Sequence, residues 1–248
     1  MSFTHILNPK YTNFKDSLLN IKEIFKTSDD SIHKARNELK IIEINGIKCV
    51  VKSFKIPHII NRIAYTYFRD GKAKKSYLNA IELIQRGVQT PEPIGIIEFF
   101  EFGLLKESYY ISIYEPYDFT IREVFHHKVE DVNEVLKQFA FFTYSIHQKG
   151  VWHVDYSLGN ILITKEKDAF RFSLVDINRM EFKTIKDYEG LKNLNKFWAK
   201  NDEDLPYLAK EYAKCASLDE EKAIKTAVDT ANELEKKTNL KRKLKGQY

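Results

Sequence analysis

Between residues 153 and 178 the chain sets three chemically active side chains at fixed intervals: Asp155, Asn160 five residues on, and Asp176 beyond an apolar stretch. His153 stands before the first, and Ile161-Leu162-Ile163 follows the second. Few folds have a use for that spacing. A carboxylate, an amide and a second carboxylate gathered around a short strand provide a group that can orient a hydroxyl and two hard oxygen ligands suited to Mg²⁺ on phosphates. The same residue types also form turns, so a plain polar connection between two strands is the competing reading. The chemical reading carries a demand: a lysine that clamps phosphate must lie upstream.

A length of 248 residues allows one large domain or two small lobes, with enough chain to bury a real core. The balance of 43% apolar and 30% charged residues is ordinary for a soluble globular protein. The first ten residues lack the apolar core of a signal peptide, and no run reaches the roughly 18 apolar residues of a membrane span. Cys49 and Cys215 each stand alone, and Cys49 lies in the largely apolar run Ile47 to Val51, which predicts a buried free thiol and a cytoplasmic protein. The net charge of +5 is unevenly placed. Between Lys52 and Lys75 there are seven Lys or Arg against one acid, Asp70, and from Lys236 to Tyr248 there are six and no acid. Such stretches are either solvated surface or an attraction to something anionic, whether a phosphorylated substrate, a membrane or nucleic acid.

Hydrophobic spacing predicts an amphipathic helix over Tyr11 to Lys26, with Phe14, Leu18, Ile21 and Phe25 on one face. Leu39 to Phe54 reads as two strands joined at Asn45-Gly46, the second running through Val51 and ending at Lys52. A helix over Ala73 to Arg86 stops at Gly87, and two strands follow, Ile94 to Phe99 and Tyr109 to Tyr114. Asp131 to Lys149 is a helix burying Val135, Phe139, Phe142 and Ile146. Ile161 to Thr164 and Phe170 to Val175 are short strands, and the pattern after Arg179 is helical and polar. Strands segregated from helices predict an α+β chain of two lobes. The aromatic group Phe99, Phe100, Phe102, Tyr109 and Tyr110 reads as core and hairpin packing rather than a base-stacking platform.

The segment Ile146-His147-Gln148-Lys149-Gly150-Val151-Trp152-His153-Val154-Asp155 resembles the approach to the catalytic loop in protein-kinase-like enzymes. Within that superfamily the chain resembles the bacterial lipopolysaccharide kinases, the group that includes Kdo and heptose kinases. The supporting stretches are Ala35-Arg36-Asn37-Glu38, Val50-Val51-Lys52-Ser53-Phe54-Lys55, Gly87-Val88-Gln89-Thr90-Pro91-Glu92-Pro93-Ile94 and Asp176-Ile177-Asn178-Arg179. The resemblance implies a two-lobed protein-kinase-like fold: a helical extension over residues 1–27, an N-lobe of antiparallel sheet with one main helix over 28–114, and a mostly helical C-lobe with a basic tail over 115–248. It implies ATP and Mg²⁺, with Asp155 as catalytic base or orienter, Asn160 and Asp176 as metal ligands, and Lys52 on the nucleotide phosphates. His153 is then a structural hydrogen-bonding residue. The acceptor would be a sugar hydroxyl of the lipopolysaccharide core or another glycolipid. The protein would touch an anionic membrane at the inner, cytoplasmic face, with no nucleic acid partner.

Three departures qualify the resemblance. The first glycine of the chain is Gly46, so no glycine-rich loop precedes Lys52, and any phosphate cover must use the backbone of residues 31–37. The helix over Ala73 to Arg86 has a single acid, Glu82, placed toward solvent, while the position expected to pair Lys52 falls near Ser76. Ser157 stands where serine/threonine kinases carry a lysine, Asp176-Ile177-Asn178 replaces D-F-G, and no A-P-E follows. The last of these favours a sugar or lipid-linked hydroxyl over a protein side chain. The first two leave room for a catalytically silent scaffold, and a protein or antibiotic-like acceptor is the other alternative.

Overall fold

The structure, a computed structural model, describes residues 2–28, 31–34, 37–55, 62–63, 65–66, 69–167, 169–197 and 203–244. The chain forms two compact units, Met1–Glu115 and Pro116–Tyr248.

Unit 1 is built on a six-stranded antiparallel sheet. Its strands are β1 (Ser2–Leu7), β2 (Ser31–Lys34), β3 (Asn37–Ile44), β4 (Ile47–Lys55), β5 (Pro93–Glu101) and β6 (Leu104–Ile113), in the order β1-β5-β6-β4-β3-β2. The β3–β4 hairpin turns at Asn45 and Gly46, both with positive φ, as the dipeptide predicts. Adjacent residues along β5 and β6 go to opposite cores, as a period of two requires. Ile97, Tyr109 and Ile111 pack with Phe14, Leu18, Ile21 and Phe25, whereas Ile96 and Tyr110 pack with Phe54 and with Ala73 and Tyr77 of helix α3 (Lys72–Gln85). The aromatic group therefore serves packing, with Phe99 edge-on to Tyr109, except for Phe102, which stands out at a turn.

Two readings of the N-terminal segment are corrected. Residues 1–27 are not simply a helical extension, because Ser2–Leu7 pairs with β5 from Phe100 to Gly95 and completes the sheet edge. Its side chains are mostly exposed, so the apolar alternation that would reveal a strand is missing. The helix expected over Tyr11 to Lys26 is a 3₁₀ turn (Pro9–Phe14) and two short helices, α1 (Lys15–Leu19) and α2 (Ile21–Thr27). The break falls at Asn20, whose side-chain amide bonds back to the Asp16 carbonyl and competes with the helical ladder. The apolar face is nevertheless the predicted one. Lys40 of β3, buried, closes the end of α2 by donating to the carbonyls of Phe25 (2.7 Å) and Ser28 (2.5 Å).

Unit 2 is organised around helix α5 (Val132–Gln148), whose buried face runs through Val135, Phe139, Thr143, Ile146 and His147. Ahead of it lie the short strand β7 (Phe119–Thr120) and helix α4 (Ile121–Phe125), the latter opened by a capping box between Thr120 and Glu123. Strands β9 (Ile161–Lys165) and β10 (Phe170–Leu174) form a hairpin extended by β7, and β8 (Val151–His153) pairs with β11 (Met180–Phe182). A 3₁₀ segment (Asp187–Lys196) and helices α6 (Asp204–Ala216) and α7 (Glu220–Leu244) complete the unit.

Candidate active site

Helix α5 ends where the Gly150 amide returns to the His147 carbonyl, and β8 then delivers the chain to His153. Strand β11 fixes β8 from the other side, and the Val154 amide donates to the Arg179 carbonyl at 3.0 Å. Residues 154–160 form the loop between β8 and β9. Three bonds shape it. The Asp155 amide donates to His153 Nδ1 (3.0 Å), the Asn160 amide donates to the Ser157 carbonyl (2.9 Å), and Asn160 Nδ2 donates to the Asp155 carbonyl (2.8 Å). The last bond uses the amide nitrogen of Asn160 and leaves its Oδ1 as the ligand atom.

His153 is fully buried. Its Nδ1 accepts from Asp155, so Nε2 carries the hydrogen and donates to the Val175 carbonyl at 3.1 Å. Burial holds its pKa below the ordinary histidine range. It is a brace, as the sequence implied. The Val175 amide in turn donates to the Asn160 carbonyl at 3.0 Å, so one residue ties the loop to the backbone just before Asp176. Asp176 adopts a left-handed conformation (φ 55°), uncommon for a non-glycine residue, and its Oδ1 accepts from Asn178 Nδ2 at 2.8 Å. Unit 2 thus brings Asp155, Asn160 and Asp176 onto one hydrogen-bonded frame. One carboxylate and one amide oxygen suit Mg²⁺, which takes few protein ligands and completes its shell with phosphate and water.

Asp155 is held by two cations. Arg179 Nη1 donates to Oδ2 at 3.0 Å, and Lys196 Nζ donates to Oδ1 and also to the Val154 carbonyl (3.2 Å). Burial alone would raise the carboxyl pKa, but Lys196 and then Arg179 outweigh it and hold it below the usual carboxylate range. Behind the loop, Tyr156 is fully buried against Phe139 and Phe197, and its hydroxyl lies 2.9 Å from Thr143 Oγ1.

The 3₁₀ segment is fastened to the same frame. Asn193 Nδ2 donates to the His153 carbonyl (2.9 Å), and Asn193 Oδ1 accepts from His147 Nε2 (3.2 Å). The remaining nitrogen of His147 accepts from the Tyr212 hydroxyl of α6 (2.9 Å). Sequence reasoning did not find Lys196, Asn193 or a role for Arg179. Lys196 and Asn193 stand in a charged, polar stretch with no spacing signal, and only the folded chain brings them to Asp155 and His153.

Lys52 belongs to unit 1. It is not at a strand end: β4 continues beyond it because β3 pairs to Phe54 and β6 to Lys55, Lys52 lying between Leu39 and Tyr110. Its ammonium lies 5.3 Å from the Phe54 ring centre. Glu82 faces outward to Arg86 (2.7 Å), and buried Ser76 bonds to the Lys72 carbonyl, so helix α3 presents no carboxylate at the expected place. Of the stretch proposed as a phosphate cover, residues 35 and 36 lie outside the described residues, as do residues 245–248 of the basic tail.

Comparison with known proteins bears on the same segment. Residues 120–214 match the Lipopolysaccharide kinase (Kdo/WaaP) family. That stretch contains Asp155, Asn160, Asp176, Arg179 and Lys196. Among solved structures, one of WaaP in complex with acyl carrier protein is similar, with a TM-score of 0.61 at 14% identity, covering 95% of this chain and 98% of that one. A structure of WbdD gives a TM-score of 0.48 at 15% identity, covering 81% of this chain and 50% of that one. No curated protein matches in sequence. The chain has the α+β, protein-kinase-like fold that its sequence implied, and its resemblance to the lipopolysaccharide kinases holds over the Kdo/WaaP-matched segment.

Proposed function

We propose that this chain transfers the γ-phosphoryl group of ATP to a sugar hydroxyl of the lipopolysaccharide inner core, a Kdo or a heptose. The observation that carries the reading is the frame on which Asn160 bonds to the Asp155 carbonyl and Val175 joins both to Asp176, inside the family-matched segment. Asp155 accepts the hydrogen bond of the acceptor hydroxyl and orients its oxygen at phosphorus. The oxygen–phosphorus bond forms as the bond to the bridging oxygen of ADP breaks, and the hydroxyl proton passes to the Asp155 carboxylate late in transfer. Asn160 Oδ1 and the Asp176 carboxylate would hold Mg²⁺, which supplies charge neutralisation on the phosphates when bound. Asn178 keeps Asp176 turned for that task, and Lys52 is assigned to the nucleotide phosphates on the family pattern alone.

The acceptor places the protein on the cytoplasmic face of a membrane. Among the described residues no helix is long and apolar enough to cross one. The end of α7 supports peripheral contact, with Lys241, Arg242 and Lys243 in its last turn beside exposed Leu240 and Leu244. Binding to anionic vesicles is expected to weaken with salt, and insensitivity to salt contradicts that part of the reading.

The deciding experiment follows radiolabelled γ-phosphate from ATP into deacylated core oligosaccharide, with a generic protein and an aminoglycoside as rival acceptors. Wild type labels the oligosaccharide, and Asp155→Asn loses roughly 10²–10⁴-fold in rate. Full turnover by Asp155→Asn removes the catalytic role. A wild type that is not stabilised by ATP with Mg²⁺ over ATP alone is a scaffold.

A further inference from the structure

We propose that Lys196 supplies to the catalytic loop the positive charge that Ser157 does not. The inference rests on the phosphotransferase reading above and deepens it. A phosphoryl group arriving beside the Asp155 carboxylate brings negative charge against negative charge, and a fixed cation between them lowers that cost. In this loop the nearby position 157 holds a hydroxyl instead of an ammonium. Lys196 reaches the same carboxylate from a different element, the far end of the 3₁₀ segment, and contacts both Asp155 Oδ1 and the Val154 carbonyl.

Two features separate Lys196 from a passing surface ion pair. The first is burial: the Lys196 and Asp155 side chains are each 30% exposed, whereas Arg179, on the other carboxylate oxygen, is 59% exposed and more fully solvated. A charge less screened by water acts more strongly on its neighbours. The second is anchorage. Three residues before Lys196, buried Asn193 bonds to the His153 carbonyl and to His147, which bonds to Tyr212. The segment carrying the cation is thus stitched to the loop it serves, and Lys196 is positioned before any substrate arrives. Each carboxylate oxygen accepts more than one hydrogen bond, so Asp155 keeps room for the acceptor hydroxyl while Lys196 holds it.

Phosphoryl transfer to deacylated core oligosaccharide tests the assignment with Lys196→Met, Lys196→Arg, Ser157→Lys and the double variant Ser157→Lys/Lys196→Met. Lys196→Met should lower kcat on the order of 10²-fold while KM for ATP moves less than about threefold, because the lost interaction serves the transferring group. Lys196→Arg should retain activity within about tenfold of wild type. The decisive measurement is the double variant, in which a lysine returned at position 157 should recover at least tenfold of the loss. A role confined to holding the fold predicts no recovery, and that result overturns the proposal, as does a Lys196→Met protein with wild-type kcat. If Lys196→Met fails to fold, Lys196→Gln replaces it in both arms. A wild type with no transfer to any acceptor refutes the phosphotransferase reading itself, and this inference with it.

Discussion

Replacing Asn193 by leucine should cost the second unit several kcal/mol, although no part of that residue touches a reacting group. The side chain is buried, and its two ends satisfy two different partners: Nδ2 the His153 carbonyl at 2.9 Å, Oδ1 the His147 Nε2–H at 3.2 Å. Leucine has the same branched skeleton of side-chain heavy atoms and is somewhat bulkier, so no cavity forms. The loss is electrostatic. His147 keeps a buried N–H with no acceptor, which costs ~1–3 kcal/mol, and the His153 carbonyl, still bonded by the Tyr156 amide, loses its second donor for about 0.5–1.5 kcal/mol, giving about 1.5–4.5 kcal/mol together. That is a large share of the ~5–15 kcal/mol by which folded proteins exceed their unfolded states. At ~2–4 °C per kcal/mol the melting temperature should fall by about 3–18 °C. Urea unfolding followed by circular dichroism measures the cost, and fluorescence of Trp152, whose ring stacks on His147, reports the region itself. A loss below about 0.5 kcal/mol would refute the claim that this chain of bonds carries the loop.

Three further outcomes are expected. Burial holds His147 down to about 4, so its unfolded form takes up a proton first as pH falls. Its contribution is complete above the ordinary histidine pKa and is lost between about 6.5 and 4, roughly 3 kcal/mol in all, and urea midpoints across that range should show it. Buried His153 is shifted in the same direction and steepens the loss. Tyr156→Phe removes the partner of Thr143 Oγ1 within the aromatic core and should cost ~1–3 kcal/mol by the same denaturation assay, while leaving the stack on Phe139 in place. Glu98→Gln should raise the unfolding midpoint at neutral pH. Glu98 is buried with Oε1 unpartnered among the described residues, and burial raises its pKa, with Lys74 opposing and Asp70 adding to the rise. The wild type is penalised once the carboxyl ionises, so the advantage of glutamine should vanish on acidification, and an advantage that persists at low pH would show another cause.

The parts of this protein that sequence reveals are those with a period or a fixed interval. The Asn45-Gly46 turn, the face of α5 and the Asp155 to Asp176 interval were all legible, because local backbone geometry sets each of them. Even where the helix over Tyr11 to Lys26 proved broken, Phe14, Leu18, Ile21 and Phe25 were still the buried set, since burial follows side-chain spacing more closely than hydrogen-bond continuity. Strand β1 escaped notice because an edge strand with exposed side chains needs only its backbone to pair. Lys196 and Asn193 escaped for another reason. Their partners, Asp155 and His153, are some forty positions away, and nothing in a polar stretch marks which of its lysines will be turned inward.

The pairing of Ser2–Leu7 with Gly95–Phe100 also has a consequence for the order in which the sheet is made. On a ribosome β1 emerges about ninety residues before its partner, so at ~5–20 residues per second it waits on the order of 5–20 s with its backbone unpaired. Strand β5, buried along most of its length, cannot shield its outer edge until that early segment returns to it. The sheet edge is therefore closed by a segment made well before its partner, and any delay in that return leaves an apolar strand edge open to a neighbouring copy.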